Sequence, residues 1–287
     1  MNRDHKDAPD PMIRPDHRIR PDLPIRANLT LAYALSLGVA ALVAIASVAG
    51  LLYQTTVYPT DELLQSFVPN DVVNLFIGLP ILLGSMGLAR RGKLSGLLFW
   101  PGALFYLFYT YLVYLFCMPL NWAFLLHLTL VTLSAYTMIG LVASIDGKAV
   151  QEQLTGAVPE RVGGGVLAGL GILFFVRVIS VLVNVLISET PVAGAELALN
   201  ISDFMLTPAW VIGGVLLWRR EAFGYVTGLG LLFQASMLFI GLIGILILQP
   251  FMTAAQFVLT DVLVILVMGM VCFIPLALFV RGAAQVR

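Results

Sequence analysis

Eight apolar segments follow one another after residue 28, at about 29–53, 71–89, 95–117, 122–144, 164–188, 197–218, 223–248 and 256–280. Each is near the ~20 residues that a helix needs to cross a hydrocarbon core ~30 Å thick. In that medium every backbone N–H and C=O must find its partner inside the protein, and segments of this length do so as helices. The expected fold is therefore all-α, an integral membrane bundle of eight transmembrane helices. Composition agrees: 11% of the residues are charged, against about 25% in soluble domains. Ala44-Ile45-Ala46 in the first segment has the look of a cleavage site. The apolar run around it is longer than the roughly 7–15 residues of a signal-peptide core, so it reads as an uncleaved span.

The basic residues test this topology. Arg3, Lys6, Arg14, Arg18, Arg20 and Arg26 precede the first segment, and Arg90, Arg91 and Lys93 lie between the second and third. Lys148 and Arg161 lie between the fourth and fifth, Arg219 and Arg220 between the sixth and seventh, and Arg281 and Arg287 after the eighth. The alternate connections, 54–70, 118–121, 189–196 and 249–255, contain no Lys or Arg. Of the sixteen basic residues, all but Arg177 thus fall on one side. The positive-inside rule makes that side, and both termini, cytoplasmic.

Residues 1–28 form a polar tail with a short repeat, Ile13-Arg14-Pro15-Asp16 and Ile19-Arg20-Pro21-Asp22, then Ile25-Arg26. Alternating Arg, Pro and Asp cannot bury a core and favour extended, solvated backbone. The transmembrane domain spans 29–280, and 281–287 is a second cytoplasmic tail.

Several function classes drop out. A formal net charge of zero gives no reason to expect nucleic acid. The chain has no phosphate-binding loop, dinucleotide glycine fingerprint or zinc-ligand spacing, so no cofactor or metal is expected. Two cysteines, Cys117 and Cys272, are too few for a disulfide framework. His127 is the only histidine within a segment, so the chain cannot offer paired axial ligands to a haem.

The ionisable residues that enter the membrane are the candidates for function, because charge at that depth is costly. Arg177 falls near the midplane of the fifth segment, in a polar stripe with Ser180, Asn184 and Ser188 at helical spacing. Asn200, Asp203 and Thr207 make a similar stripe in the outer half of the sixth. The 189–196 connection is short, so the two segments are expected to be neighbours. Arg177 and Asp203 then stand ~7 Å apart along the normal at ~1.5 Å per residue, a gap that a guanidinium stem can bridge in part. Two readings stay open: an ion pair that fixes helix register, or an arginine that takes an anionic group from outside. Asp71, His127 and Asp261 are expected at a similar outer level. In the tyrosine-rich third segment, Tyr106 and Tyr109 lie deep enough to need hydroxyl partners, and Tyr106 is a candidate pocket residue.

Pro80…Gly84…Arg90-Arg91 parallels Pro208…Gly213…Arg219-Arg220, each with an aspartate upstream, Asp71 or Asp203. This pattern suggests two parallel four-helix halves related by an axis along the membrane normal. In that scheme His127 corresponds in level to Asp261, and Arg177 has no counterpart.

Asn70-Asp71-Val72-Val73, Leu88-Ala89-Arg90-Arg91-Gly92, the tyrosine-rich third segment and Leu216-Leu217-Trp218-Arg219-Arg220 with Gly224-Tyr225 together resemble a group of uncharacterised prokaryotic multi-pass membrane proteins. The likeness covers roughly 60–240. It implies this topology and a prokaryotic plasma membrane, and brings no activity with it.

The leading expectation is a multi-pass plasma-membrane protein with a polar pocket open to the outside. Arg177, Asp203, Asp71, His127 and Asp261 would frame it, with Asn184, Asn200 and Tyr106 nearby, and it would bind or pass a small anionic or amphiphilic molecule. Beyond the lipid bilayer, a membrane-protein partner belongs to a second reading: a non-catalytic subunit or assembly factor whose charges are structural. A lipid-modifying enzyme with His127 or an aspartate as general acid–base is a third, for which no nucleophile–base pair can be placed by spacing.

Overall fold

The computed structural model describes residues 23–188, 194–253 and 255–285. The helices are α1 (Thr30–Leu52), the single turn α2 (Gln54–Val57), α3 (Asp61–Val73), α4 (Leu79–Arg90), α5 (Leu94–Cys117) and α6 (Trp122–Ser144). They continue as α7 (Gly147–Leu154), α8 (Glu160–Ser188), α9 (Gly194–Trp218), α10 (Ala222–Met252) and α11 (Leu259–Gln285). Counting Asp61–Arg90 as one rod, eight helices among the described residues are long and apolar enough to cross a membrane. Their outward faces carry Leu31, Leu37, Ile172, Val176 and Val267, all exposed. So large an apolar surface suits lipid rather than water.

The second span begins ten residues earlier than hydropathy places it. Thr60 caps α3, its hydroxyl accepting the Leu63 N–H at 3.3 Å, and Asp61 and Glu62 occupy the first turn, where the helix dipole favours negative charge. Gln65, Ser66 and Asn70 lower the local hydropathy, while Leu63, Phe67 and Val68 still bury against the bundle. A π-helical turn, Asn74–Gly78, joins α3 to α4. Pro80 follows it, and the missing proline N–H leaves the Phe76 carbonyl without its usual partner, a common cause of such a turn.

α5 is the most buried span, and α8 and α11 are the least. α5 crosses α10 at Gly102 and Gly230, where a Cβ on Gly102 would run into the Gly230 backbone. In the first half of the chain α1 packs on α3, α4 and α6, and α5 packs on α4 and α6. In the second, α8 packs on α9 and α11, and α10 packs on α9 and α11. Across the halves α5 meets α10 and α9, while α10 meets α5 and α3. The two tight turns also match: Gly96 lies on the Leu88–Ala89 backbone, and Gly224 lies on that of Leu216–Leu217.

The segment 23–28, assigned to the tail by its composition, pairs with the α6–α7 connection. Arg26 N–H donates to the Ser144 carbonyl and Asp146 N–H to that of Pro24, both at 2.8 Å. Ile25 and Ile145 form an antiparallel bridge. The remaining tail residues, 1–22, lie outside the described residues. The Arg26 Nη2 donates to Asp146 Oδ1 at 3.0 Å, and this hydrogen bond holds the Asp146 carboxyl below its ordinary value. A lowered carboxylate adds stability at pH values above the ordinary ~3.9, and loses it as pH falls through the depressed value. An NMR titration should therefore place the Asp146 midpoint below ~3.9 and move it upward in Arg26→Gln. A wild-type midpoint at or above the ordinary value would contradict the pair.

α7 lies in a connection without a span. Asp146 caps it, accepting the Lys148 N–H at 3.1 Å, and Val150 and Leu154 turn inward with no exposure.

Candidate functional site

The membrane-embedded charges fall into separate places. At the end of the bundle away from the basic residues, α1, α3, α5 and α6 converge on Asp71, which is wholly buried. The Tyr58 hydroxyl donates to its Oδ2 at 2.5 Å and the Tyr114 hydroxyl to its Oδ1 at 3.0 Å. Gly50 of α1 faces the carboxyl, and any Cβ there would overlap Asp71 and the Tyr58 hydroxyl. The His127 ring lies against Tyr111 and Tyr114, with centroids 5.7 and 5.1 Å apart. Its Nδ1 is buried without a hydrogen-bond partner among the described residues. Ser47 and Tyr111 close the cluster, their hydroxyls 3.4 Å apart.

The second place lies nearer the basic end, since Tyr109 precedes Tyr114 on α5 by five residues. Asp203 of α9 is 6% exposed; the Tyr109 hydroxyl of α5 donates to its Oδ1 at 2.7 Å. Arg177 Nη1 of α8 stands 3.6 Å from its Oδ2. This is an ion pair, with the hydrogen bond supplied by the tyrosine. The Asp203 side chain is 9% exposed and that of Arg177 is 52% exposed, so the cation looks out of the bundle. Ser180 and Asn184, on the same stripe of α8, are also exposed.

The remaining expected residues are scattered. Asn200 is buried; its Nδ2 donates to the Glu196 carbonyl at 2.8 Å, and its Oδ1 has no partner among the described residues. Tyr106 is buried against Gly78 and Gly241. Asp261 is exposed in the first turn of α11. That helix packs chiefly on α10, with lesser contacts to α8 and α5. Asp261 therefore does not join Asp71 and His127, although all three were expected at one level: depth alone does not decide which helices are neighbours.

Some of these partners were not legible beforehand. Tyr58 lies in a connection that reads as a loop. Asn74, in the π turn, buries both amide atoms without a partner among the described residues, and only Pro80 hinted at irregular backbone there. Trp210 Nε1 donates to Gln234 Oε1 at 2.7 Å, tying α9 to α10. At the basic end Glu160 is buried, accepts the Tyr225 hydroxyl at 2.8 Å and the Gly156 N–H at 2.9 Å, and lies 3.8 Å from Arg220. Arg220 itself, two residues beyond the end of α9, lies in the left-handed region, with φ of 60°.

A cavity of about 810 Å³ lies between α6 and α9, walled by apolar side chains with Arg26 and Lys148 at its basic end. None of the candidate residues expected from the sequence lines it.

Comparison with family models, with curated proteins and with solved structures finds no match to this chain. The eight apolar helices make it a multi-pass membrane protein.

Proposed function

We propose that this chain is a non-catalytic membrane subunit whose internal charges hold its helices in register and whose α8 docks the transmembrane helix of a different protein. One observation carries this reading: Arg177, Ser180 and Asn184 lie exposed on one face of the least buried span. Arg177 is sixteen or more ångströms below either end of α8 at ~1.5 Å per residue, too deep for its head to reach the interface easily. A charge left there costs ~2.5–3.5 kcal/mol, and a partner carboxylate would offset that cost. Asp203 does so only in part, since it also serves Tyr109. A second copy of this chain suits the face poorly. A two-fold axis along the normal would set two Arg177 side chains at one depth.

The outward pocket draws less support. Asp71 and Asp203 already have partners within the chain, and Asp261 stands apart from them. The reading places the basic end, with both chain ends, in the cytoplasm at the plasma membrane, from the positive-inside rule. It also takes the chain as two parallel four-helix halves. Pro80 and Pro208, Gly96 and Gly224, Gly102 and Gly230, and the starts of α5 and α10 all stand at one constant offset. The helix contacts exchange in the same way. At that offset Asp203 aligns with Leu75, one helical turn from Asp71, so the two aspartates are not equivalent.

The test uses leucine-rich model helices carrying Glu, Gln or Leu at mid-span, with fluorescence transfer to the labelled protein in bicelles. The Glu helix should bind about tenfold more tightly than the Leu helix, as one desolvated ion pair allows. Arg177→Leu should abolish the difference. Equal binding of all three helices, or an undiminished preference in Arg177→Leu, would sink the proposal.

A further inference from the structure

We propose that the groove between α6 and α9 holds an acyl chain of an anionic glycerophospholipid from the leaflet at the basic end, with its phosphate at Arg26 and Lys148. Shape, charge and depth support this independently of α8, which does not line the groove.

The walls are apolar. Of its lining, Phe105, Ile145 and Leu231 are buried, Met138 is half-buried, and Met205 and Phe223 are exposed. The volume, about 810 Å³, lies within the ~300–1,000 Å³ of ordinary ligand pockets. Methionine adapts to a flexible chain better than branched side chains do.

Both charged residues of the lining are cations. Asp146 takes the Nη2 side of Arg26, whose side chain stays 58% exposed. Lys148 has no ion-pair partner among the described residues. An anionic phosphate therefore meets one free and one shared positive charge, whereas a choline head would bring a repelled cation to the same rim. Each such cation near a membrane surface is worth about fivefold in affinity for an anionic lipid.

Depth points to a lipid rather than a soluble anion. Met138 lies about 9 Å above the basic end of α6, and Met205 about 20 Å above that of α9, at ~1.5 Å per residue. The groove thus runs through about one leaflet of a ~30 Å core. A small anion would leave the apolar length empty. The amphiphile expected from sequence is thereby assigned to the basic end, opposite the outer aspartates.

Native mass spectrometry in mild detergent would compare added phosphatidylglycerol with phosphatidylcholine of the same acyl chains. Phosphatidylglycerol should be retained several-fold better on the wild type. Lys148→Gln, which removes no hydrogen bond or ion pair given above, should reduce that preference about fivefold. Ala209→Phe, which fills the groove from α9, should remove the bound phosphatidylglycerol while thermal melting verifies the fold. Equal retention of the two lipids, or phosphatidylglycerol binding unchanged by both variants, would overturn the assignment.

Discussion

Asp203→Leu is expected to destabilise the detergent-solubilised protein by about 3 kcal/mol, while combining it with Arg177→Leu costs less than half as much. The single change leaves two groups unpaired. Arg177 loses the carboxylate 3.6 Å away, and the Tyr109 hydroxyl loses its acceptor at 2.7 Å. Removing one partner of a desolvated pair costs about 3–5 kcal/mol. The 3.6 Å separation, longer than a hydrogen bond, puts the expected loss at the lower end of that range. Orphaning a buried hydroxyl adds about 1–3 kcal/mol. The double change removes both charges and supplies apolar volume, which is often neutral or stabilising at such sites. Only the tyrosine then remains unpaired. Equilibrium unfolding of Arg177→Leu, Asp203→Leu and the double should give a coupling of at least about 1.5 kcal/mol, beyond the ~0.5 kcal/mol of independent sites. Additive losses would mean that the pair fixes nothing. Partner binding through Arg177 would then need another explanation for the cation's depth.

Gly102→Ala should cost about 2–3 kcal/mol, the upper part of the range for an overpacked site. Its Cβ would meet the carbonyl oxygen, Cα and carbonyl carbon of Gly230. These are backbone atoms of another helix, and no rotamer change can move them aside. Gly230→Ala should cost less, because its Cβ would sit 3.1–3.3 Å from Leu98 and Gly102 atoms, a gap that small shifts relieve. Gly84→Ala is the control: nothing lies within 4 Å of the added methyl. Replacing a helical glycine there should gain about 0.5–1 kcal/mol. Thermal melting in one detergent ranks the three. If Gly102→Ala tracks Gly84→Ala, the close crossing of α5 and α10 is not what centres the bundle.

These two sites differ in how much of them could be read beforehand. Hydropathy is summed over consecutive residues, so the eight spans were visible without knowing any contact. α6 even matches its expected bounds, because Asn121 caps one end and accepts the Ala123 N–H at 2.9 Å. The early start of α3 was hidden by its polar residues. α7 was hidden because a short amphipathic helix on a surface has no hydropathic run. The Arg177–Asp203 pair was within reach, since a short connection and the rise per residue set their relative heights. Tyr109 as third member was not, because it comes from a helix far away in sequence.

The sequence by itself determined that this chain enters a membrane, how many of its segments are long and apolar enough to cross it, and which connections carry the positive charge. Those properties follow from local transfer energies, counted residue by residue. Only the tertiary structure decided which charges meet. It seated Asp71 under Tyr58 and Tyr114, left Asp261 apart, turned the face of Arg177 outward, and opened a groove at Arg26 and Lys148. Pairing depends on which helices lie side by side and on how each is rotated, and close contacts such as Gly102 on Gly230 set both through packing between residues distant in the chain.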